Sequence, residues 1–129
     1  MVRGAHMRHA AAGLLLAAAL LCAPAALARA TPDALPDIAV ADLPKEGREV
    51  LALIHGGGPF TYDRDGVVFG NYERLLPSER KGFYHEYTVH TPGTKSRGAR
   101  RIICGGPKQA PDACYYTSDH YRTFKRIRE

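Results

Sequence analysis

Three side chains in the carboxyl-terminal half of the sequence have the chemistry needed to move protons around a phosphate group. They are the carboxylate of Glu86, the guanidinium of Arg101 and the imidazole of His120. A carboxylate can deprotonate a hydroxyl, a guanidinium can stabilise a crowded phosphate, and a protonated imidazole can donate a proton to a leaving oxygen. Together, these residue types predict the cleavage of a phosphodiester.

The alternation of side chains along a strand predicts where these groups point. A strand over residues 83–90 places Tyr87 on the face under a helix and Glu86 on the open face of the sheet. In the next predicted strand, Arg101 can stand beside Glu86 across the ladder. An ordinary cross-strand ion pair is the alternative interpretation of this pair, and a bystander side chain is the alternative for His120, in a predicted loop.

One helix and a series of short strands are predicted to position these residues. Val50, Leu51 and Ile54 recur at helical spacing between residues 44 and 55, and a Gly-Gly-Gly-Pro sequence ends the helix. Strand composition between turn signals is found at residues 67–69, 83–90, 100–104, 115–117 and 123–127. The predicted fold class is α+β, with one N-terminal helix packed on an antiparallel β-sheet of about five strands.

Residues 1–30 have the pattern of a secretory signal peptide. An apolar run follows Arg3 and Arg8, and cleavage after Ala28 or after Ala30 satisfies the small-residue rule. The run is too short and too interrupted to predict a membrane span. We therefore expect a secreted, extracellular protein without a membrane segment, whose residues 31–129 form a single domain with an extended leader at residues 31–37.

The cysteines indicate a disulfide bond. Removal of the signal peptide removes Cys22 and leaves Cys104 and Cys114 in a chain bound for an oxidising compartment, where pairing is the default. A metal site is the alternative, but it would need further cysteine ligands. The sequence predicts a Cys104–Cys114 disulfide, and neither a metal nor a cofactor.

Charge is distributed unevenly along the chain. Residues 31–73 contain 3 basic and 8 acidic residues, whereas residues 74–129 contain 12 basic and 5 acidic residues. A basic half of this strength favours a polyanionic partner such as nucleic acid, and a merely solvated basic surface is the alternative.

Several short motifs resemble, in order and spacing, those of the bacterial guanyl-specific ribonucleases. The resemblance is to the barnase-like family and especially to its Streptomyces branch, and it runs from about residue 43 to residue 124. The motifs are Phe69-Gly70-Asn71-Tyr72-Glu73, Tyr84-His85-Glu86-Tyr87-Thr88, Thr91-Pro92-Gly93, Arg97-Gly98-Ala99-Arg100-Arg101-Ile102-Ile103 and Asp119-His120-Tyr121.

The resemblance implies a role for each matching residue. It makes Glu86 the general base, His120 the general acid, and Arg97 and Arg101 the cations that bind the phosphate. It implies a guanine-binding set made of Phe69, Asn71, Tyr72, Glu73 and Tyr121. Within this set Tyr72 stands where arginine is usual, and the neighbouring Gly70 stands where a polar residue is common.

The activity implied by the resemblance is that of a metal-independent, guanyl-specific endoribonuclease. Its substrate would be single-stranded RNA, cleaved by transesterification to a 2′,3′-cyclic phosphate and then hydrolysed to a 3′-phosphate. The implied partner is an acidic protein inhibitor like barstar, and we expect a monomer. The alternative is a secreted, non-catalytic module that binds nucleic acid or another polyanion; a carboxylate such as Glu86 among the arginines would weaken such binding because it repels phosphate. A nutritional enzyme and a toxin would share this chemistry.

Overall fold

The computed structural model describes residues 35–129 and residue 13. The predicted signal peptide, apart from residue 13, and the start of the predicted leader lie outside these residues. Among the described residues, no helix is long and apolar enough to cross a membrane. The elements are β1 (Asp37–Ala39), a 3₁₀ turn (Val40–Asp42), α1 (Lys45–Gly56), β2 (Val68–Phe69), β3 (Tyr84–Thr88), β4 (Arg101–Gly105), β5 (Ala113–Thr117) and β6 (Lys125–Arg128).

The strands of residues 35–129 form one six-stranded sheet in the order β1-β6-β5-β4-β3-β2. All neighbours are antiparallel except β1 and β6, which are parallel. The predicted α+β class with one helix on a sheet is confirmed. The strand count is one higher than expected because β1 forms at the end of the predicted leader, where Ile38 pairs with Ile127.

Helix α1 covers one face of the sheet. Its start follows Pro44, and its end is closed by Gly57 in the left-handed conformation, with a φ of 83°, which suits a residue without a Cβ. Leu51 and Ile54 are buried and join Tyr87 in the main hydrophobic cluster. Burial of such side chains is worth roughly 1.5–3 kcal/mol each, so the amphipathic pattern of the sequence is sufficient to seat the helix on this face.

The opposite face of the sheet, predicted to be open, is partly covered. A second hydrophobic cluster lies there and consists of Leu76, Tyr84, Ile103, Tyr115 and Phe124. Alternation predicted the face on which Glu86 lies, but its carboxylate is contacted there by Arg64, Arg97 and Tyr121, which come from segments outside β3.

The predicted disulfide is present. Cys104 on β4 lies directly opposite Cys114 on β5, with 4.1 Å between their Cα atoms. Both cysteines belong to the main hydrophobic cluster. The bond therefore ties together the two central strands, one of which carries Arg101.

Candidate active site

The carboxylate of Glu86 is the centre of a buried polar cluster. Strand β3 carries it to the side of the sheet away from α1, where the residue is only 6% exposed. Its Oε1 lies 3.3 Å from Nη2 of Arg97 and 3.6 Å from Nε of Arg64. Its Oε2 accepts a 2.8 Å hydrogen bond from the hydroxyl of Tyr121. Cations and a donor hydroxyl thus replace the water that a buried carboxylate loses.

Arg97 reaches Glu86 from the loop between β3 and β4. Its Nε and Nη2 donate to the hydroxyl oxygen of Thr88, at 3.1 and 2.9 Å. Because Thr88 follows Glu86 by two residues on the same face of β3, the strand itself aligns the guanidinium beside the carboxylate. The structure therefore brings together two of the side chains that sequence reasoning assigned to catalysis.

Arg101 is placed differently from the expectation that it stands beside Glu86. In the register of β3 and β4, Arg101 lies opposite Thr88, and Ile103 lies opposite Glu86. The Nε of Arg101 donates to the hydroxyl of Tyr121, at 3.1 Å. Arg101 therefore lies on the same face as Glu86, as alternation predicts, but diagonally from it, and the Tyr121 hydroxyl joins the two side chains.

Tyr121 is the bridge of the cluster. Its hydroxyl accepts from Arg101 and donates to Glu86, while its ring stacks on Phe69 with 5.3 Å between centroids. Burial raises the pKa of Tyr121, and the hydrogen bond to Glu86 raises it further. The phenol therefore remains a proton donor at neutral pH. Sequence reasoning placed Tyr121 beside the substrate but missed this bridging position.

His120 lies at the exposed edge of the same cluster. Its ring centroid is 4.8 Å from that of Tyr121, so the imidazole lies beside the ring whose hydroxyl contacts Glu86. The backbone of His120 has a φ of 55°, and its N–H donates to the carbonyl of Ala99 at 2.9 Å. This bond joins the His120 loop to the loop that carries Arg97.

The carboxylate of Asp119 shapes the His120 loop. It accepts hydrogen bonds from the backbone N–H and the hydroxyl of Thr123, at 2.9 and 2.6 Å, and from the hydroxyl of Thr117, at 2.9 Å. The bonds from Thr123 come first among the causes that hold the pKa of Asp119 at about 2, below its ordinary value of 3.8. The ionised form of Asp119 is therefore part of the loop's fold.

A cavity of about 170 Å³ adjoins the cluster. All the residues predicted to bind guanine line it, together with Leu75 and Phe124. Asn71 has a φ of 50° and exchanges two hydrogen bonds with the backbone of Leu76, at 3.0 and 3.1 Å. Its side-chain amide therefore holds the loop in shape.

The two departures from the family pattern are coupled in the structure. Tyr72 is 93% exposed, and its ring lies so close to Gly70 that a Cβ there would overlap it. The small residue at position 70 therefore makes room for the aromatic residue at position 72.

Arg64 was missed by sequence reasoning and lies in a turn at residues 63–66. The turn positions it because the carboxylate of Asp65 accepts from the backbone N–H of Thr88, at 2.7 Å. With Arg97 and Arg101, it gives the cluster a net positive charge that suits a phosphate. A basic residue in a turn gives no signal of such proximity.

Comparisons with known proteins agree with these observations. A sequence model described as ribonuclease matches residues 28–128. The chain is 55% identical over 85 residues to guanyl-specific ribonuclease Sa3 of Kitasatospora aureofaciens, covering 66% of this chain and 58% of that protein. It is 50% identical over 95 residues to ribonuclease Sa of the same organism, covering 74% and 96%.

Solved structures of ribonuclease Sa2 have the same fold. One, in complexes with mononucleotides, matches with a TM-score of 0.69 and 45% identity over 74% of this chain and 95% of that one. Another, with guanosine-2′-cyclophosphate, matches with a TM-score of 0.66 and 46% identity over 73% and 96%. The resemblance found in the sequence motifs is thereby confirmed, and the chain belongs to the family of bacterial guanyl-specific ribonucleases.

Proposed function

We propose that this protein is an endoribonuclease that cleaves single-stranded RNA on the 3′ side of guanosine without a metal ion. The observation that carries the proposal is the buried Glu86 carboxylate, paired with Arg97 and linked through Tyr121 to Arg101, one ring away from His120. This cluster adjoins an aromatic cavity that contains Glu73. The relatives, named as guanyl-specific ribonucleases, support the same activity.

The first step is an in-line transesterification. Glu86 accepts the proton of the ribose 2′-hydroxyl as its oxygen forms a bond to phosphorus. The bond from phosphorus to the 5′-oxygen breaks, and protonated His120 donates its proton to that oxygen. Arg97 and Arg101 bind the non-bridging oxygens, whose charge grows in the transition state. The products are a 2′,3′-cyclic phosphate and a free 5′-hydroxyl.

The second step hydrolyses the cyclic phosphate with the roles exchanged. His120, now neutral, accepts a proton from water, whose oxygen attacks phosphorus. Protonated Glu86 returns its proton to the 2′-oxygen as that bond to phosphorus breaks. The product is a 3′-phosphate, and both side chains regain their starting states.

Guanine preference would come from the cavity beside the cluster. The carboxylate of Glu73 can accept two hydrogen bonds from N1–H and N2–H of guanine, a donor pair that adenine lacks. Phe69 offers a stacking surface, and such stacking is worth about 1–3 kcal/mol per base.

Two substitutions test the assignment on the dinucleotide GpU. Glu86→Gln and His120→Ala are each expected to lower kcat by about 10²-fold or more, since each removes a proton-transfer group. The matched controls Glu49→Gln and His90→Ala change exposed residues on the helix side and should leave the rate unaltered. Cleavage by either site variant within about threefold of the parent would refute the assignment.

A non-catalytic polyanion-binding module remains the rival proposal. It is disfavoured because a buried carboxylate beside Arg97 would repel the phosphates that such a module binds. Release of acid-soluble nucleotides from yeast RNA in the presence of EDTA would exclude it, and binding without release would favour it.

We propose further that the protein is secreted as a single-domain monomer. Export predicts that the extracellular form begins after Ala28 or Ala30, which mass spectrometry of the secreted protein can check. The positive cluster around the site would suit an acidic inhibitor protein like barstar. Tyr72 stands where arginine is usual in the family. We therefore expect such an inhibitor to bind without the contacts that this arginine would make.

A further inference from the structure

A second cavity of about 500 Å³ borders residues 69–74, which we call the guanine-binding loop. It shares Phe69, Asn71 and Tyr72 with the smaller cavity, so the same residues border both cavities. Its volume falls within the range of about 300–1,000 Å³ that small-molecule sites occupy. Nothing in the proposed cleavage mechanism uses this second cavity.

Basic side chains form part of the wall of the second cavity, beside aromatic ones. Arg74, Arg80 and Lys81 line it, with Glu79 as the acidic residue of the same segment. The guanidinium of Arg80 lies 5.3 Å from the ring centroid of Phe83, a cation–π contact that restrains the cation. These exposed cations would attract a phosphate.

Arg74, which lines the second cavity, has an unusual backbone conformation. Its φ is 56°, a region that few residues other than glycine adopt. Its N–H donates to the carbonyl of Asn71 at 3.0 Å, which closes the turn of the guanine-binding loop. The turn thus places a cation in the wall of the second cavity, next in sequence to Glu73 of the smaller one.

Tyr72 supplies an aromatic surface that lines both cavities. A side chain that is 93% exposed contributes little to the core, and Gly70 leaves the space that its ring occupies. Exposed aromatic rings next to cations are the combination that binds single-stranded nucleic acid, by stacking and by phosphate contacts.

We infer that the second cavity binds the nucleotide on the 5′ side of the cleaved guanosine. This inference rests on the proposed function, which places the guanine in the smaller cavity and its 3′-phosphate at Glu86. We place the 5′ side of the guanosine towards the second cavity because that cavity shares Phe69, Asn71 and Tyr72 with the smaller one. Arg74, Arg80 and Lys81 would bind the preceding phosphate, and Tyr72 would stack on the preceding base.

The kinetic test compares GpU, which has no 5′ nucleotide, with ApApGpU. The parent should cleave ApApGpU with a kcat/KM about tenfold above that for GpU, as expected for one added stacked base and its phosphates. The variant Arg80→Gln/Lys81→Gln should lose most of this advantage and cleave GpU within about twofold of the parent. The control Lys45→Gln/Lys125→Gln removes equal charge from the helix side and should keep the advantage.

Each other pattern overturns the inference. These patterns are a parent that shows no advantage, an Arg80/Lys81 variant that keeps it, and a Lys45/Lys125 control that loses it. In all these cases the 5′ nucleotide does not use the cavity.

A binding measurement separates this inference from the proposed function. The probe is a fluorescent ApApGpU with 2′-deoxyguanosine, which has no attacking hydroxyl and stays intact. The Arg80/Lys81 variant should bind the probe about tenfold more weakly. The slope of the logarithm of the binding constant against the logarithm of the salt concentration should become shallower by about 0.7 for each lost phosphate contact. Unchanged affinity and slope would overturn the inference. Failure of the parent to cleave GpU would refute the proposed function alone. The binding measurement would then decide whether the second cavity binds the 5′ nucleotide.

Discussion

At the scale of single residues, the site depends on how one buried carboxylate is satisfied. One oxygen of the Glu86 carboxylate accepts a hydrogen bond from Tyr121, and the other forms an ion pair with Arg97. These partners compensate the cost of burial and fix the direction of the carboxylate before substrate arrives. Preorganised groups of this kind need no rearrangement during the reaction.

The Tyr121 hydroxyl gives the first prediction. Tyr121→Phe keeps the ring against Phe69 but removes the link between Glu86 and Arg101. Hydrogen bonds to charged groups are worth about 1.5–3 kcal/mol, so kcat on GpU should fall by about 10- to 100-fold. KM should stay within about threefold because the aromatic ring at position 121 still lines the guanine-binding cavity. A kcat equal to that of the parent would show that the hydroxyl has no part in catalysis.

At the scale of elements, the sheet and its loops each supply two of the proposed catalytic side chains. Strands β3 and β4 carry Glu86 and Arg101 on a rigid ladder, while loops supply Arg97 and His120. Each loop is fastened at a side chain or a backbone group, as by Asp119 below His120. Loop residues can therefore be held as firmly as strand residues.

Asp119 gives a prediction for stability against pH. Its pKa is about 2 in the folded protein and 3.8 ordinarily, so the folded state favours the charged form. This contribution is complete above about pH 4 and is lost as the pH falls towards 2. Asp119→Asn should lower Tm at pH 7, and the difference from the parent should shrink between pH 4 and pH 2. A difference in Tm that stays constant over this range would contradict the assignment.

The disulfide gives a second prediction at this scale. Cys104→Ser/Cys114→Ser should lower the free energy of unfolding by about 3 kcal/mol, by the chain-entropy estimate for a short closed loop. Urea unfolding of the variant and of the parent, with and without a reductant, measures the change. Equal stability of the reduced and oxidised parent would contradict the prediction.

Much of this arrangement could be predicted from the sequence. Helix α1, the central strands and the face of Tyr87 follow from local periodicity. Strand β1 could not be predicted, because three residues show no period and their pairing with β6 is parallel and distant in sequence. The register that separates Arg101 from Glu86 depends on the loop between β3 and β4, which no local pattern determines.

At the scale of the whole molecule, hydrophobic clusters lie on both faces of the sheet. The cluster under α1 stabilises the fold away from the site. The cluster containing Leu76 and Phe124 lies beneath the guanine-binding loop. Substitutions under α1 are therefore expected to lower stability without weakening substrate binding, whereas substitutions in the other cluster should affect both.

A pair of matched substitutions tests this separation. Leu51→Ala and Leu76→Ala should each cost about 2–5 kcal/mol of stability, since both side chains are buried. Only Leu76→Ala should also raise KM for GpU, because the buried Leu76 side chain anchors the segment whose backbone bonds to Asn71. Equal KM values for the two variants, measured below their unfolding temperatures, would contradict the separation.

The most direct test of the central claim is base-resolved mapping of the products from a defined single-stranded RNA in the presence of EDTA. The account predicts breaks on the 3′ side of guanosines, first with 2′,3′-cyclic phosphate ends, and no break where 2′-deoxyguanosine replaces guanosine. Breaks spread evenly over the four nucleotides, or cleavage at the deoxy position, would contradict it.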